Sequence, residues 1–281
     1  STLSGHISYP TTSIMKLPAK SRLLPGIART LQQAGYQTDF LYGGDINFTN
    51  MRSYFTTTGY QHLTSDTDFS LQERTSSSWG AHDEYTFDRL YEMLESRPAD
   101  RLWHTGFLTL SSHEPFEVPY NRLKDKRQNS FAYTDHCLGE FIDRLKQLPV
   151  WNNLLVICLP DHGSSPTFNV TSPTFYHIPI KAPAVIHTLM NQSDMPATLL
   201  GQLGLPHQDF KYSRNIFSTS YTYPFAYSTF SDGFMFKDST GVTIFDNAAR
   251  KPVYNEPAPD GAREEKGMAI LQTSYDQLGE N

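Results

Sequence analysis

The 281-residue sequence lacks several features that would assign it to a specialised class of protein. No apolar run approaches the roughly 20 residues that a membrane-spanning helix requires. The formal net charge is -6, and lysine and arginine are scattered along the chain. The charge therefore argues against a general nucleic-acid binder, because phosphate neutralisation needs a clustered basic surface.

Cysteine is also scarce, with two residues in the chain. Cys137 falls on a predicted helix and Cys158 on a predicted buried strand, where a thiol acts as a small apolar side chain. The two cysteines therefore indicate no redox compartment. The sequence has no internal repeat and no low-complexity tract, so its length predicts one large domain, alone or with a small appendage.

The stretch NLLVICLPDHGSS at residues 153–165 places a strand directly before chemically useful side chains. Its apolar run, Leu154–Leu159, predicts a strand that is buried on both faces of a sheet between helices. Pro160 cannot donate a hydrogen bond to a ladder, so the strand should end there. Asp161 and His162 follow immediately. Because ligands bind at the carboxyl ends of strands in open α/β sheets, we predict the active site at this point.

Two further predicted strands also end in polar residues. The strand at Tyr36–Tyr42 leads into a glycine pair and Asp45, and the strand at Leu102–Leu110 leads into His113. A helix predicted at Ser130–Leu148 connects the second of these strands to the strand before Asp161. Such a strand, helix, strand unit favours parallel strands, which would bring His113 and Asp161 to one crevice.

Apolar residues at helical spacing predict the remaining helices, and polar stretches predict the loops between them. We expect helices at Leu24–Ala34, at Asn50–Thr57, after Asp83 and at Met195–Leu203, with Asp83 and Asp194 as caps. The segment Thr64–Gly80 is rich in serine, threonine and aspartate and predicts a long surface loop. A strand is predicted between His177 and His187.

The last sixth of the sequence changes character. Alternating runs at Tyr227–Phe236 and Val242–Phe245 are joined by Asp238-Ser239-Thr240-Gly241, which predicts a hairpin. The tail from Gly261 onward is polar and weakly helical. We therefore divide the chain into an α/β domain at 1–220 and, packed on it, a C-terminal β hairpin with a helical tail at 221–281.

Asp161 and His162 supply a hard oxygen ligand and an imidazole side by side. Both side chains can reach one divalent cation if the backbone turns between them, since zinc and manganese accept mixed oxygen and nitrogen ligands. In the alternative interpretation, Asp161 caps the following turn and His162 is a surface histidine. Two ligands alone do not define a metal site.

Five other residues are candidates for binding a substrate, namely Asp45, Arg52, Trp79, His82 and His113. His113 follows a strand and is suited to donating a hydrogen bond to an anionic oxygen. Trp79 could pack over a substrate, although aromatic residues in such loops more often anchor the loop to the core. Asp45 could equally be a turn residue, Arg52 a solvated helix charge and His113 a loop histidine. We interpret His177 as structural.

Six segments occur in an order and spacing that resembles one known family. They are GGDINFTNMRSYF (43–55), SWGAHDEYTFDRL (78–90), LTLSSHEPFEVP (108–119), YTDHCLGEFIDRLK (133–146), NNLLVICLPDHG (152–163) and the His177-Ile178-Pro179-Ile180 segment. This arrangement is similar to the extracytoplasmic sulfatase-type domain of the lipoteichoic acid synthase and phosphoglycerol transferase family, in the alkaline phosphatase superfamily. The resemblance extends through about Phe217 and depends on the order of the segments, not on any single motif.

The resemblance implies an alkaline phosphatase-like α/β fold, with a central, largely parallel sheet between helices and a small C-terminal antiparallel β ribbon. It implies a divalent metal at Asp161 and His162, with manganese first and zinc, magnesium or calcium as alternatives. It implies that His113 binds the substrate. It also implies a threonine nucleophile that attacks a phosphodiester while the cation neutralises charge on the transferring group.

The sequence departs from the family pattern in two places. Where the synthases have His, Asp, Trp and Arg around the loop at 42–51, this chain has Tyr42, Gly44, Thr49 and Met51. Asp45 and Arg52 could partly substitute for them. In the family, the nucleophilic threonine and a metal-binding glutamate precede the segment matched by residues 1–10. We therefore expect the nucleophile upstream of Ser1 and expect this chain to be inactive by itself.

We predict that the parent protein is a metal-dependent phosphoglycerol transferase or phosphodiester hydrolase of the bacterial envelope. The alternatives are a sulfatase and a noncatalytic binding domain that kept the fold. The substituted loop at 42–51 favours the binding domain, whereas the retained His113, Asp161 and His162 favour the enzyme. The expected partner is an anionic phosphate or sulfate ester, linked to a lipid or glycan, and no nucleic acid. The resemblance implies an extracytoplasmic location, in the periplasm or at the cell surface, with membrane attachment through a region absent from this chain.

Overall fold

The computed structural model of the protein describes residues 2–161, 174–176 and 185–280. The helices are α1 (Pro18–Ser21), α2 (Ile27–Gln33), α3 (Met51–Thr57), α4 (Leu71–Arg74), α5 (Asp83–Glu95), α6 (Lys126–Leu145), α7 (Met195–Gln202) and α8 (Gly261–Glu280). The strands are β1 (Gln37–Tyr42), β2 (His62–Thr64), β3 (Trp103–Leu108), β4 (Val156–Cys158), β5 (Thr174–Tyr176), β6 (Ala226–Phe230), β7 (Gly233–Asp238), β8 (Gly241–Asp246) and β9 (Lys251–Glu256).

A parallel sheet with the strand order β2-β1-β3 lies between two layers of helices. Successive side chains of the central strand β1 point to opposite faces, as the pleat requires. Leu41 packs against a cluster formed with α5 and α6, which includes Phe87 and Phe141. Phe40 faces the other way and stacks on Phe55 of α3, with ring centroids 3.7 Å apart. Helices thus cover both faces of the sheet, as predicted.

Among the described residues, β3 and β4, the strands that flank α6, do not pair with each other, and their predicted parallel direction stays a prediction. β4 pairs antiparallel with β5, so that Ile157 lies opposite Phe175, and these two strands form a sheet separate from β3. The side chains of β4 still alternate between two apolar layers, with Val156 against the α5 and α6 cluster and Ile157 against the α2 and α7 cluster. The apolar run therefore predicted the burial of this strand, but burial does not specify which strand is its neighbour.

The polar segment Thr64–Gly80 is not the long loop that its composition predicted. It contains a 3-10 helix at Asp66–Asp68 and then α4, and each begins with a capping box. In the first, the Ser65 amide donates to the Asp68 carboxylate over 2.8 Å. Capping boxes are made of serine, threonine, aspartate and glutamate, so a segment that starts two short helices has the composition of a loop.

Helix α6 begins earlier than predicted, at Lys126 instead of Ser130. The Asp125 side chain accepts a hydrogen bond from the Gln128 amide over 2.8 Å and caps the helix at that point. Cys137 is buried on this helix, and Cys158 is half-buried on β4, as the sequence predicted.

The C-terminal part is larger than the predicted ribbon. Strands β6 to β9 form a four-stranded antiparallel sheet, and the predicted hairpin turn joins β7 to β8 with Asp238 opposite Gly241. The tail is a 20-residue helix, α8, whose Arg263 is 2% exposed. This guanidinium donates to the Thr243 hydroxyl over 3.0 Å and to the Thr240 carbonyl over 3.1 Å, which fixes α8 against the sheet.

The first residues of the chain pack on this C-terminal sheet. Ile7 is buried in a cluster with Phe234 of β7, and the Thr229 hydroxyl donates to the Ser8 carbonyl over 3.0 Å. The Tyr9 hydroxyl donates to the Ser274 carbonyl on α8 over 3.1 Å. The beginning and the end of the chain are therefore in direct contact.

A buried ion pair connects α7 to the start of the C-terminal sheet. Asp194 is fully buried and accepts two hydrogen bonds from Arg214, over 3.0 Å at Oδ1 and 2.7 Å at Oδ2. The same guanidinium donates to the Phe225 carbonyl over 3.1 Å and lies 3.7 Å from the centroid of the Phe225 ring. Asp194 occupies the N-cap position of α7, but the predicted side-chain cap is wrong, because its carboxylate is turned to Arg214 and to the Asn191 amide.

His104 on β3 makes the stability of the fold depend on pH. Its Nε2 lies 3.1 Å from the Tyr60 hydroxyl. Burial lowers the pKa of this imidazole from 6.5 to about 4, opposed in part by Asp39 and reinforced by Arg97. Between these values the unfolded chain binds more protons than the folded chain, so the free energy of unfolding should fall as the pH drops from about 6.5 towards 4.

We therefore expect His104→Gln to reduce the acid sensitivity of the protein. Urea unfolding at several pH values between 7 and about 4.5 measures the slope of the unfolding free energy against pH. The control is His136→Gln, which changes an exposed histidine. Equal slopes for wild type and His104→Gln would show that another group carries the acid sensitivity.

Candidate functional site

The carboxyl ends of β1 and β3 lie side by side, since Tyr42 is paired in register with Leu108. Three loops converge there: the loop after β1, the loop after β3 and the segment at residues 75–82 before α5. These loops contain four of the five residues predicted to bind a substrate. The fifth, Arg52, lies on α3. The roles of these residues in binding a substrate stay predictions, as does the active site predicted directly after β4.

A close backbone contact fixes the segment before α5 to the loop after β1. Gly44 and Gly80 form an isolated antiparallel bridge, and the Ala81 amide donates to the Gly43 carbonyl over 2.9 Å. Gly80 has a φ of 137°, and a Cβ there would overlap the Gly43 carbonyl oxygen. Only glycine combines that backbone conformation with so close an approach. Trp79 is therefore held against the loop after β1, with its ring 5.7 Å from that of Phe48.

Asp83 fixes the loop after β3, and its predicted role as a side-chain cap of α5 is wrong. The residue is fully buried, and its Oδ1 accepts from the Leu110 amide over 2.8 Å and from the Ser111 amide over 3.1 Å. Its Oδ2 accepts from the Thr134 hydroxyl of α6 over 2.6 Å. His82, not Asp83, occupies the N-cap position of α5, which leaves the carboxylate free to bind the amides of the neighbouring loop.

His82 belongs to the same buried network. Its side chain is 6% exposed, and its Nδ1 lies 3.2 Å from the Ser111 hydroxyl, which also accepts from the Asp83 amide over 2.9 Å. Burial lowers the pKa of this imidazole, although the nearby Glu84 and Asp83 oppose the shift. Burial thus favours the neutral form of His82.

Trp79 and His113 share one hydrogen-bond acceptor. The indole Nε1 of Trp79 donates to the Glu114 carbonyl over 2.6 Å, and Nδ1 of His113 lies 2.9 Å from the same oxygen. The two rings are in contact, with centroids 4.4 Å apart and planes tilted by 56°. His113 itself is exposed, so its orientation depends on these contacts.

A cavity of about 590 Å³ brings three of the five predicted substrate-binding residues together. Trp79, His82 and His113 all line it. The rest of the lining includes hydroxyl and carboxylate groups, among them those of Ser76, Ser77, Ser111, Tyr85, Glu84 and Glu117. Sequence reasoning missed these polar lining residues, although the run Ser76-Ser77-Ser78 directly before Trp79 was a visible signal.

Asp45 and Arg52 do not line this cavity. Both are exposed. The Asp45 carboxylate accepts from the Asn47 amide over 2.8 Å, and Arg52 Nε donates to the Asn47 side-chain oxygen over 2.9 Å. Asp45 thus has the local hydrogen bond of a turn residue, the alternative considered from the sequence. A role for either residue in binding stays a prediction.

The predicted metal ligands are only partly within the described structure. Asp161 is exposed in a bend after β4, whereas His162 and His177 lie outside the described residues. Within ranges 2–161 and 185–280, no three histidine, cysteine, aspartate or glutamate side chains come together as a metal centre would require. The described residues alone therefore do not supply a complete set of metal ligands. In the same ranges, no helix combines the length and apolar character of a membrane span.

Comparisons with known proteins agree with this fold. A family model described as Sulfatase matches residues 2–205. The chain is 25% identical over 234 residues to the lipoteichoic acid synthase-like protein YvgJ of Bacillus subtilis, covering 70% of this chain and 37% of that protein. It is 23% identical to the lipoteichoic acid synthase of Staphylococcus saprophyticus, covering 88% and 43%. A shorter match of 147 residues, at 24% identity, is to phosphoglycerol transferase I of Citrobacter koseri and covers 47% and 19%. The chain thus spans less than half the length of these relatives.

Two solved structures share the fold. One is a protein of the alkaline phosphatase superfamily from Vibrio parahaemolyticus, with a TM-score of 0.82 and 22% identity, covering 100% of this chain and 74% of that one. The other is the lipoteichoic acid synthase LtaP of Listeria monocytogenes, with a TM-score of 0.78 and 16% identity, covering 99% and 78%. The predicted alkaline phosphatase-like fold is confirmed.

Proposed function

Because the chain belongs to the sulfatase family, we propose that the protein transfers or hydrolyses a phosphoglycerol ester of the bacterial envelope. One observation carries this proposal: Trp79, His82 and His113 line a single cavity at the carboxyl ends of β1 and β3. The names of the relatives, lipoteichoic acid synthases and a phosphoglycerol transferase, support it.

The lining of the cavity suits a polar ester that also carries hydroxyl groups. A volume of about 590 Å³ is within the range of small-molecule sites. The imidazoles and hydroxyls can bind ester oxygens, and the indole of Trp79 offers an apolar surface to carbon atoms. The carboxylates of Glu84 and Glu117 accept hydrogen bonds from hydroxyls. A phosphoglycerol group carries such hydroxyls, which supports it as the substrate.

Members of this family generally use divalent metals, and we extend that property to this protein with manganese as the preferred ion. Asp161 and His162 are the proposed ligands. The position of Asp161 directly after β4 supports this assignment, since loops at strand ends are where such ligands lie. Elemental analysis of the purified protein and of Asp161→Ala tests it, and equal metal content in both would contradict it.

We also propose that the protein acts outside the cytoplasm on a lipid-linked substrate, as the names of its relatives suggest. Protease treatment tests the location, comparing cells whose outer envelope is opened but whose cytoplasmic membrane is intact with fully lysed cells. Degradation while the cytoplasmic membrane is intact is expected. Protection until that membrane is permeabilised would contradict the proposal.

His113→Gln should lower kcat/KM for a phosphatidylglycerol analogue by about tenfold to a hundredfold, because it removes an imidazole that lines the cavity. The side chain is exposed, so the unfolding free energy should change by less than about 0.5 kcal/mol. The measurement is turnover of the analogue by the full-length protein as wild type, as His113→Gln and as the control His136→Gln.

The same assay separates the alternative functions. Faster turnover of an aryl sulfate than of the phosphatidylglycerol analogue would favour the sulfatase alternative. Binding of the analogue without turnover would favour the noncatalytic one.

A further inference from the structure

The acceptor that Trp79 and His113 share determines which nitrogen of His113 carries a proton. A backbone carbonyl only accepts hydrogen bonds, so the 2.9 Å contact between His113 Nδ1 and the Glu114 oxygen requires a hydrogen on Nδ1. A neutral imidazole has a single N–H. In neutral His113, Nε2 is therefore unprotonated and can only accept a hydrogen bond.

Trp79 holds this arrangement in place. A carbonyl oxygen has two lone pairs, so it can accept from the indole over 2.6 Å and from the imidazole at the same time. The indole also contacts the imidazole ring, with centroids 4.4 Å apart, and restricts its rotation. Trp79 is in turn fixed by its neighbours, since its amide donates to the Ser77 hydroxyl over 3.2 Å and its ring packs on Phe48.

An accepting Nε2 restricts the group that can bind to it. A hydroxyl group has a hydrogen to donate to Nε2, whereas a fully ionised phosphate or sulfate has none. The second imidazole of the cavity, His82, contacts the Ser111 hydroxyl, with 3.2 Å between Nδ1 and the oxygen, and the same oxygen accepts from the Asp83 amide.

We propose that Trp79 is a positioning residue that holds His113 in the Nδ1–H tautomer, so that His113 Nε2 accepts a hydrogen bond from a hydroxyl of a phosphorylated polyol. The choice of polyol phosphate rests on the proposed function, but the tautomer follows from the contacts of Glu114 alone. Neutral His113 thus recognises the alcohol part of the ligand, in place of the anionic oxygen that its sequence position suggested.

Nitrogen NMR of the protein labelled with 15N-histidine tests the tautomer directly. Long-range correlations within each imidazole ring distinguish a protonated nitrogen from an unprotonated one, and loss of a signal in His113→Gln assigns His113. In the wild type we expect a protonated Nδ1 and an unprotonated Nε2. In Trp79→Phe, which keeps an aromatic ring but removes the indole N–H, we expect a mixture of tautomers. The matched control is Trp151→Phe, which should leave the His113 signal unchanged.

Ligand binding tests the recognition of the hydroxyl. Glycerol phosphate carries hydroxyls and methyl phosphate carries none, so their affinities separate the alcohol from the anion. We expect Trp79→Phe and His113→Gln each to weaken binding of glycerol phosphate by about fivefold to tenfold, the effect of one hydrogen bond, and to leave methyl phosphate within about twofold. An identical His113 tautomer in wild type and Trp79→Phe would overturn the positioning role. If the tautomer shifts in Trp79→Phe as expected but the two variants lose affinity for glycerol phosphate and methyl phosphate equally, hydroxyl recognition is overturned. If neither phosphate binds although the tautomer shift occurs, the proposed function fails and the positioning of His113 stands.

Discussion

Asp194→Ala is expected to lower the free energy of unfolding by about 3–5 kcal/mol, the typical cost of removing one partner of a buried ion pair. The fully buried Asp194 accepts two hydrogen bonds from the Arg214 side chain and one from the Arg214 amide. Its loss leaves the half-buried guanidinium without a counterion. The same substitution removes the acceptor of the Asn191 amide.

Urea unfolding of three variants separates the ion pair from its surroundings. Glu92→Ala is the control, because its ion pair with Arg89 is exposed and should contribute less than about 1 kcal/mol. The double variant Asp194→Leu with Arg214→Met replaces both charges by apolar groups and should be more stable than Asp194→Ala, since no charge is left uncompensated. A loss below about 1 kcal/mol for Asp194→Ala would mean that water replaces the carboxylate.

Asp83→Ala is expected to cost about 3 kcal/mol or more in unfolding free energy and also to abolish ligand binding. The substitution removes the acceptor of two buried amides, at Leu110 and Ser111, and of the Thr134 hydroxyl. Hydrogen bonds to a charged group each contribute about 1.5–3 kcal/mol, and the two amides would be left unsatisfied. Because the loop that they belong to carries His113, its displacement should also remove one wall of the cavity.

Thermal or urea unfolding and glycerol phosphate binding measure the two effects of Asp83 separately. Asp88→Ala, on the same helix, is the control, because its ion pair with Arg144 is exposed. Asp83→Asn keeps one oxygen acceptor and should retain part of both properties. Retention of normal binding by a folded Asp83→Ala protein would show that the loop after β3 does not depend on this carboxylate.

Periodic apolar residues were enough to predict the elements that form the α/β core. The strands β1 and β3 and the helix α6 occur close to their predicted positions because each buries a continuous apolar face. The partner of β4 was not predictable in the same way. Its apolar side chains predict that it is buried between two apolar layers. They do not predict its partner, because strands pair through backbone groups that are the same in every residue.

Part of the candidate site was also accessible from sequence. The order of the motifs identified Trp79, His82 and His113, which the structure brings to one cavity. An aspartate at the start of a helix usually caps it, so the sequence predicts Asp83 as a cap. Its actual partners are amides more than 25 residues away, and no local pattern encodes them. The shared acceptor of Trp79 and His113 is a backbone carbonyl, which the side-chain chemistry of Glu114 does not reveal.

The contact of the first residues with α8 has a consequence for the order in which the molecule folds. The Tyr9 hydroxyl binds the Ser274 carbonyl, 265 residues further along the chain. A ribosome that adds roughly 5–20 residues per second therefore exposes Ile7 and Tyr9 for many seconds before α8 is synthesised. Contacts of such long sequence separation also form late and slowly. The N-terminal segment can therefore reach its native position only once α8, which lies far along the chain, is available to pack against it.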